Sequence, residues 1–353
     1  MRRFSIVQDV RSSFKVKGLR AKVKGWCSVL GVSCLLVFLF ASCNQPAPTT
    51  HHPISPSRAG GASLTILFTG DVLLDRGVRR VAERKGISYL FEEVSPIFRE
   101  ADAVVVNLEC PLTDTISPVN KKYIFRADAR WAKDLKAVGI THAAMANNHT
   151  NDQGRRGLQA TAQHLTEAGI TPLGYGKNFK EQMSPVLIEK DGISVALFNA
   201  TTLTIENWCR IDDKPGIAQP TEKELLDEIS DFHHKYPETH IVVVLHWGVE
   251  FQPYPSIRQR ALAHRLSEAG VSAVIGHHPH ILQPIDTIDS MPVYYSIGNF
   301  VFDQKNPKAR VSMIANLTFH SDGTLKADSV SVNIEQGRPI IQVPCNSQSS
   351  FHI

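Results

Sequence analysis

The chain contains little cysteine, and this limits how disulfides could stabilise it. Six of its 353 residues are cysteine, and three of these, Cys110, Cys209 and Cys345, lie after residue 43. An odd number of cysteines cannot pair completely within one chain. We therefore predict that no disulfide framework holds the fold together.

Positive charge is not in excess outside the N-terminal segment. Eight of the 38 Lys and Arg residues and one of the 34 acidic residues lie in the first 25 positions, which leaves 30 basic and 33 acidic side chains after residue 42. Domains that bind nucleic acid usually carry a basic excess. The charge balance therefore argues against nucleic acid as a partner. The apolar fraction of 42% is ordinary for a globular protein.

Residues 26–42 carry no charge at all and follow the basic segment. A basic start, an apolar stretch and small residues before Cys43 are typical of a secretory signal. The arrangement resembles a bacterial lipoprotein signal over residues 1–42, with Cys43 as the lipidated residue. Residues 43–62 are rich in Pro, Ser and Thr and predict a flexible tether. We expect an extracytoplasmic lipoprotein anchored in the cell envelope. An uncleaved membrane anchor is the alternative, and it also places the body outside the cytoplasmic membrane.

Apolar runs recur along the rest of the chain and favour an α/β fold. They are rich in Val, Ile, Leu and Ala rather than alternating, as strands covered on both faces are. Stretches with helical spacing lie between several of them, including helices predicted from about Gly154 and from about Ser256. Gly139, Gly169 and Gly270 follow such stretches and fit the left-handed position after a helix. The apolar runs occupy residues 64–68, 103–106, 142–145, 193–198, 241–245, 272–275 and 293–297.

The C-terminal part has a different pattern. Residues 311–318 and 327–334 alternate between apolar and polar side chains, and Ser321-Asp322-Gly323 lies between them. This pattern predicts a hairpin of antiparallel strands that closes one side of the fold. We expect residues 341–353 to form a loose tail.

Side chains that can bind metals follow five of the predicted strands. In open α/β sheets, ligands bind beyond the carboxyl ends of the strands. A mixed set of oxygen and nitrogen donors suits one or two divalent ions such as Mn, Fe, Zn or Mg. A histidine-rich loop without metal is the alternative for the last segment. The segments are Thr69-Gly70-Asp71, Asn107-Leu108-Glu109, Ala146-Asn147-Asn148-His149, His246-Trp247-Gly248 and Gly276-His277-His278-Pro279-His280.

Together with Ser296-Ile297-Gly298-Asn299-Phe300, this ordered set resembles the CapA-type poly-gamma-glutamate capsule proteins, over residues 64–304. That family is similar to the calcineurin-like metallophosphoesterases. The resemblance implies an α/β domain over residues 63–340, built as a four-layer α/β/β/α sandwich with mixed central sheets. It also implies metal-dependent hydrolysis of a phosphoester or a related bond in capsule biosynthesis. The implied partners are an anionic polymer or phosphoester substrate and membrane-bound capsule synthase proteins.

The resemblance assigns roles residue by residue. His149 would be the general acid or a phosphate contact, with Asp152 as its orienting partner, and Glu109 would take the place of the bridging acid. The implied metal ligands are Asp71, Glu109, Asn148, His246, His278 and His280.

The sequence departs from the metallophosphoesterase pattern at two motifs. Leu73 stands where a His usually follows the first Asp, and Asn107-Leu108-Glu109 replaces the usual Gly-Asp. One ion site is therefore expected to be weaker, different or absent. His277 competes with His278 for the ligand role.

Several further residues have more than one possible role. Arg76 either holds an anionic substrate group or is a solvated arginine at a helix start. Asp152 either orients His149 or caps the helix from Gly154. Glu250 supports the site, contacts substrate or lies on the surface, and Asn299 contacts substrate or the site, or fixes a turn. Lys121 is expected to be a solvated charge.

Two other functions remain open. The protein could be a non-catalytic partner that binds the polymer or the synthase complex and retains a structural metal. It could also be a general extracytoplasmic phosphatase that is unrelated to capsule.

Overall fold

The structure, a computed structural model, describes residues 61–342. The predicted signal, its lipidation site Cys43 and nearly all of the predicted tether and tail lie outside the described residues. Within residues 61–342, no helix has the length and apolarity that a membrane span requires.

The described residues form two large sheets, a short two-stranded sheet and helices. The strands are β1 Ser63–Val72, β2 Ala103–Leu108, β3 His142–Ala144, β4 Thr171–Leu173, β5 Tyr175–Gly176, β6 Val186–Lys190, β7 Ile193–Thr201, β8 Gly216–Ile217, β9 His240–His246, β10 Ala273–His277, β11 Ile285–Ile288, β12 Met291–Tyr294, β13 Asn299–Val301, β14 Val311–His320, β15 Leu325–Glu335 and β16 Arg338–Ile341. The helices are α1 Arg76–Lys85, α2 Ile87–Leu90, α3 Ser95–Glu100, α4 Trp131–Ala137, α5 Gly154–Glu167, α6 Phe179–Met183, α7 Glu222–Lys235 and α8 Ile257–Glu268, with a 3₁₀ helix at Pro307–Arg310.

Both large sheets are mixed. The first has the order β16-β15-β14-β1-β2-β3-β4, with β13 beside β1, and its strands from β1 to β4 are parallel. The second has the order β11-β12-β10-β9-β7-β6, with antiparallel strands at its two edges. The hairpin predicted around Ser321-Asp322-Gly323 is confirmed, because β14 and β15 pair in antiparallel fashion across it. These strands and β16 close one side of the first sheet, as expected.

The two large sheets face each other across an apolar core. Ile66 and Phe68 of β1 share one buried apolar cluster with Val195 and Leu197 of β7. Leu67 belongs instead to the cluster that includes helix residues. Because successive side chains of a strand point to opposite faces, β1 packs against the other sheet on one side and against helices on the other. The predicted four-layer α/β/β/α architecture is confirmed.

The helix predictions hold, and local chemistry explains the boundaries. Ser256 caps α8: its Oγ accepts from the backbone amide of Gln259 at 3.2 Å, and Gln259 Oε1 accepts from the amide of Ser256 at 2.9 Å. The helix predicted from Gly154 is α5. Gly169 and Gly270 follow α5 and α8 with φ of 77° and 90°, the left-handed conformation expected there.

Candidate metal centre

The two large sheets bring the predicted donors together at one edge. Asp71 lies near the end of β1, and Glu109 directly follows the neighbouring parallel strand β2. His246 and His277 end β9 and β10, where they stand side by side in a parallel register. Carboxyl ends of parallel strands meet at one edge of a sheet, and here the edges of both sheets contribute to one cluster.

Asp71 is fully buried and is surrounded by donors. Its Oδ1 accepts a hydrogen bond of 2.8 Å from Asn107 Nδ2 and lies 3.1 Å from His277 Nδ1, while its Oδ2 lies 3.0 Å from His280 Nδ1. Burial alone would raise the pKa of Asp71, but the hydrogen bonds and charges of His277 and His280 outweigh it and hold the pKa well below its usual value. Asp71 is therefore a carboxylate at neutral pH.

Glu109 is fully buried, and neither of its carboxylate oxygens has a hydrogen-bond partner. Oε1 lies 3.5 Å from His246 Nε2, and Oε2 lies 3.8 Å from His280 Nδ1. Burial raises the pKa of Glu109 well above its usual value. A buried carboxylate without partners is costly, and a cation beside it would remove that cost.

His246 contacts groups from three segments. Its Nε2 lies 2.8 Å from Asn148 Oδ1, and its Nδ1 lies 3.3 Å from Asn107 Nδ2. Burial, and then the charge of nearby His278, hold the pKa of His246 well below its usual value. Its imidazole is therefore neutral at physiological pH, which is the form that binds metals.

His278 and His280 have positive φ angles of 94° and 59°, a backbone conformation that residues other than glycine rarely adopt. The Nδ1 atom of His278 is buried without a hydrogen-bond partner. Burial, reinforced by the charge of His280, lowers the pKa of His278 to about 3. Strained backbone around functional side chains is common where surrounding structure holds it in place.

Three groups of these residues have donor atoms within 4.8 Å of one another. The groups are Glu109, His246 and His278, then Asp71, Glu109 and His280, then Glu250, His278 and His280. His278 belongs to two of them, whereas His277 belongs to none of the groups found among residues 61–342. The unpartnered oxygens of Glu109 and the unpartnered Nδ1 of His278 fit a divalent cation. The number of ions and the identity of the metal stay predictions.

His149 lies beside this cluster with the partner predicted for it. Its Nδ1 is 2.9 Å from Asp152 Oδ2, and its ring centroid is 4.4 Å from that of Phe125. Burial lowers the pKa of His149, although the hydrogen bond to Asp152 opposes the shift. The capping alternative for Asp152 is wrong, since Gln153 occupies the N-cap position of α5 and no side chain caps it.

Lys121 is a residue whose environment the sequence did not indicate. We expected a solvated charge, and this is wrong, because only 5% of its side chain is exposed. Its Nζ donates to Asp152 Oδ1 at 2.7 Å and to the carbonyl oxygen of Asn148 at 2.6 Å. Lysine pairs in loops are usually solvated, so sequence alone carried no signal for it.

Two asparagines also form part of the site framework. Asn147 Nδ2 donates to Asn107 Oδ1 at 3.2 Å, and Asn147 Oδ1 accepts from the backbone amide of His149 at 3.0 Å. The pair therefore links the residue that contacts Asp71 to the turn that carries His149. Asn107 is the polar residue in the otherwise apolar strand β2, and this position was the sequence signal that could have revealed its role.

The predicted substrate contacts differ in burial: Arg76 is half-buried, Glu250 is exposed and Asn299 is buried. Arg76 is paired with Asp303, and its guanidinium lies 5.2 Å from the ring centre of Phe125. Glu250 is exposed and shares a donor group with two site histidines. Asn299 is buried, and its Oδ1 lies 2.9 Å from His280 Nδ1.

Leu73, at the position of the usual histidine, is fully buried in the apolar core, and its backbone amide donates to the carbonyl of Val301 at 2.9 Å. It cannot act as a donor for a cation.

Comparisons of the sequence with known proteins agree on one family. The sequence matches the model of the bacterial capsule synthesis protein PGA_cap over residues 65–304. The capsule biosynthesis protein CapA of Bacillus anthracis is 33% identical over 282 residues, which cover 78% of this chain and 69% of that protein. The PGA biosynthesis protein CapA of Bacillus subtilis is 30% identical over 279 residues, which cover 78% and 73% respectively. Among solved structures, a 5'-nucleotidase precursor from Thermus thermophilus superposes with a TM-score of 0.47 and 16% identity, over 79% of this chain and 56% of that one.

Proposed function

Because the chain belongs to the bacterial capsule synthesis protein PGA_cap family, we propose that it is a metal-dependent hydrolase of poly-gamma-glutamate or capsule biosynthesis. The bond that it cleaves is a phosphoester or a related bond of the polymer or of a precursor. The observation that carries the proposal is Glu109, whose two buried oxygens have no hydrogen-bond partner and lie among histidines.

The candidate metal ligands are of two chemical kinds, carboxylate oxygens and imidazole nitrogens. Carboxylate oxygens of Asp71 and Glu109 and imidazole nitrogens of His246, His278 and His280 would hold the cation, with Asn148 beside His246. A divalent ion there supplies Lewis acidity toward a phosphoryl or carbonyl oxygen and lowers the pKa of water. The low pKa values of His246 and His278 keep their nitrogen lone pairs available for this role.

His149 supplies the proton chemistry in this proposal. Asp152 Oδ2 accepts a hydrogen bond from His149 Nδ1 and thereby favours the tautomer that carries a proton on that nitrogen, which leaves Nε2 to contact substrate. Packing against Phe125 restricts the ring to this orientation. As an imidazolium, His149 would give its Nε2 proton to the substrate oxygen that leaves, and it would then keep only the Nδ1 proton that Asp152 accepts.

The cellular setting of the proposal rests on the N-terminal sequence and on the relatives. The two CapA relatives are named for capsule and PGA biosynthesis, which supports an anionic polymer as substrate and synthase proteins as partners. Lipidation at Cys43 would place the domain at the outer face of the membrane. Cell fractionation tests this: Cys43→Ser protein should leave the membrane fraction, and its retention there would contradict the anchor.

Leu73 favours one alternative, a non-catalytic partner with a structural metal. A buried leucine at that position removes one histidine donor from the usual set. The two functions differ in turnover rather than in metal content.

Hydrolysis of an aryl phosphate by full-length protein in detergent tests the proposal. His149→Gln should lower kcat by roughly 10²- to 10⁴-fold with bound metal unchanged, because it removes only the proton-transfer group. His234, which is exposed on α7, provides the matched control, and His234→Gln should retain full activity. Equal activity of wild type and His149→Gln would exclude the catalytic role, and a metal-replete wild type without turnover would favour the non-catalytic partner.

A further inference from the structure

Lys121 occupies an unusual place for a lysine. Its ammonium group is nearly excluded from water, while the Asp152 side chain with which it pairs is fully buried. Besides donating to Asp152 Oδ1 and to the carbonyl of Asn148, its Nζ lies 3.5 Å from His149 Nδ1. One cation therefore contacts three residues of the turn that carries the proton-transfer histidine: Asn148, His149 and Asp152.

The loop of residues 113–126, in which Lys121 lies, is docked onto the same aspartate. Its backbone amide at Val119 donates to the carbonyl of Asp152 at 3.0 Å, and that of Phe125 donates to Asp152 Oδ2 at 2.7 Å. The neighbouring Lys122 is exposed and packs on Tyr123, with its Nζ 4.9 Å from the ring centre. The loop thus presents one lysine to the site and the next to solvent.

The two carboxylate oxygens of Asp152 have different hydrogen-bond partners. Oδ1 accepts from Lys121, and Oδ2 accepts from the Phe125 amide and faces His149 Nδ1. With both oxygens engaged, the carboxylate plane is fixed, and Oδ2 stays directed at the imidazole. Without the bond to Oδ1 the carboxylate is held through Oδ2 alone and can turn about that oxygen, so the partner of the histidine is less firmly fixed.

We propose that Lys121 is a positioning residue, which locks Asp152 and the backbone of Asn148 and so fixes the orientation of His149. The inference rests on the proposed function, because it concerns the histidine assigned to proton transfer. Burying an ion pair costs desolvation free energy that hydrophobic side chains of similar volume would avoid, so a local stability gain is a poor reason to keep it. Orientation of a neighbouring group is the role that its contacts support.

The test compares Lys121→Met with Lys122→Met in the full-length protein in detergent. Methionine keeps the length and apolar stem of lysine but removes the charge and the donors. Lys121→Met should lower kcat for an aryl phosphate about 10- to 100-fold, with KM within about threefold and bound metal unchanged. Lys121→Arg should restore part of kcat, because it returns a cation to the same place. Lys122→Met should behave like the wild type.

A double-mutant cycle separates positioning from general damage to the fold. In the Asp152→Asn background, Lys121→Met should reduce kcat less than twofold further, because the partner that it fixes is already lost. Full additivity of the two substitutions, or a loss of kcat that follows loss of metal or of folded protein, would overturn the proposal. So would equal activity of the Lys121→Met and Lys122→Met proteins.

A second readout does not depend on turnover. Ring ¹⁵N resonances of labelled histidine, assigned with His149→Gln, report the tautomer of His149. We expect one tautomer with the proton on Nδ1 in the wild type and in Lys122→Met, and a tautomer mixture in Lys121→Met. If the wild type lacks turnover, the hydrolase proposal fails while this measurement still decides the role of Lys121. Identical His149 resonances in all three proteins would overturn that role.

Discussion

At the scale of single residues, the site depends on which polar groups the fold leaves unpaired. Both oxygens of Glu109 and the Nδ1 of His278 are buried and unpartnered, whereas Asp71 accepts from Asn107 and lies against two histidines. A folded chain rarely leaves several such atoms together unless a ligand satisfies them. This separates the cluster from a histidine-rich loop.

Sequence reasoning reached part of this arrangement. The pairing of His149 with Asp152 was predictable because they lie three positions apart in one turn. The contact of Lys121 was not predictable. It depends on how a loop without regular structure packs against Asp152, which is 31 residues away in the sequence. The difference between His277 and His278 also needed the folded structure, in which His278 belongs to two donor groups and His277 to none of those found in residues 61–342.

His142 gives a prediction about acid stability that is independent of the site. Burial, with a smaller contribution from Lys136, lowers its pKa from 6.5 to about 4. As pH falls below 6.5, the unfolded chain takes up a proton that the folded chain does not, so stability is lost between pH 6.5 and pH 4. At pH 5 this loss is about 2 kcal/mol.

Urea unfolding at pH 7 and pH 5 measures this loss. The His142→Gln protein should lose about 2 kcal/mol less than the wild type between the two pH values, because glutamine does not titrate. Equal losses in the two proteins would show that His142 is not a source of acid sensitivity.

At the scale of elements, the long strands were predictable and the short ones were not. Apolar runs predicted β1, β2, β7 and β9 because each is buried on both faces. Strands such as β5 and β8 have two residues each, and tertiary pairing rather than local sequence defines them. The strand predicted over residues 293–297 instead ends at Tyr294, after which the chain turns toward the site.

Close backbone approach between elements gives a second prediction. A Cβ at Gly276 in β10 would lie 2.1 Å from the carbonyl oxygen of Tyr295 and 2.5 Å from Trp247 Nε1. Gly276→Ala should therefore destabilise the fold by about 1–3 kcal/mol, because the neighbouring backbone must move. Urea unfolding measures this cost.

Gly61→Ala is the matched control, since its Cβ would meet only Ser321 Oγ at an ordinary 3.4 Å. Its effect should stay within about 0.5 kcal/mol. Equal free energies of unfolding for the two variants would contradict the close packing between β10 and the segment before β13.

At the scale of the whole molecule, the fold concentrates donors from distant parts of the sequence. Asp71 and His280 are 209 residues apart in the chain, yet their side chains lie 3.0 Å apart. Two facing mixed sheets achieve this by aligning the carboxyl ends of β1, β2, β9 and β10 at one edge. The layered α/β class follows from the order of apolar runs, whereas the pairing between sheets became visible only in the folded structure.

The metal content of the full-length protein tests the central claim most directly. Inductively coupled plasma mass spectrometry should find one or two divalent ions per wild-type chain. Glu109→Gln and His278→Ala should each weaken metal affinity by at least roughly tenfold, because each removes a donor, while the exposed His234→Gln keeps the wild-type content. A wild type that binds no divalent ion even after reconstitution, and that folds as stably as His278→Ala, would contradict the metal centre.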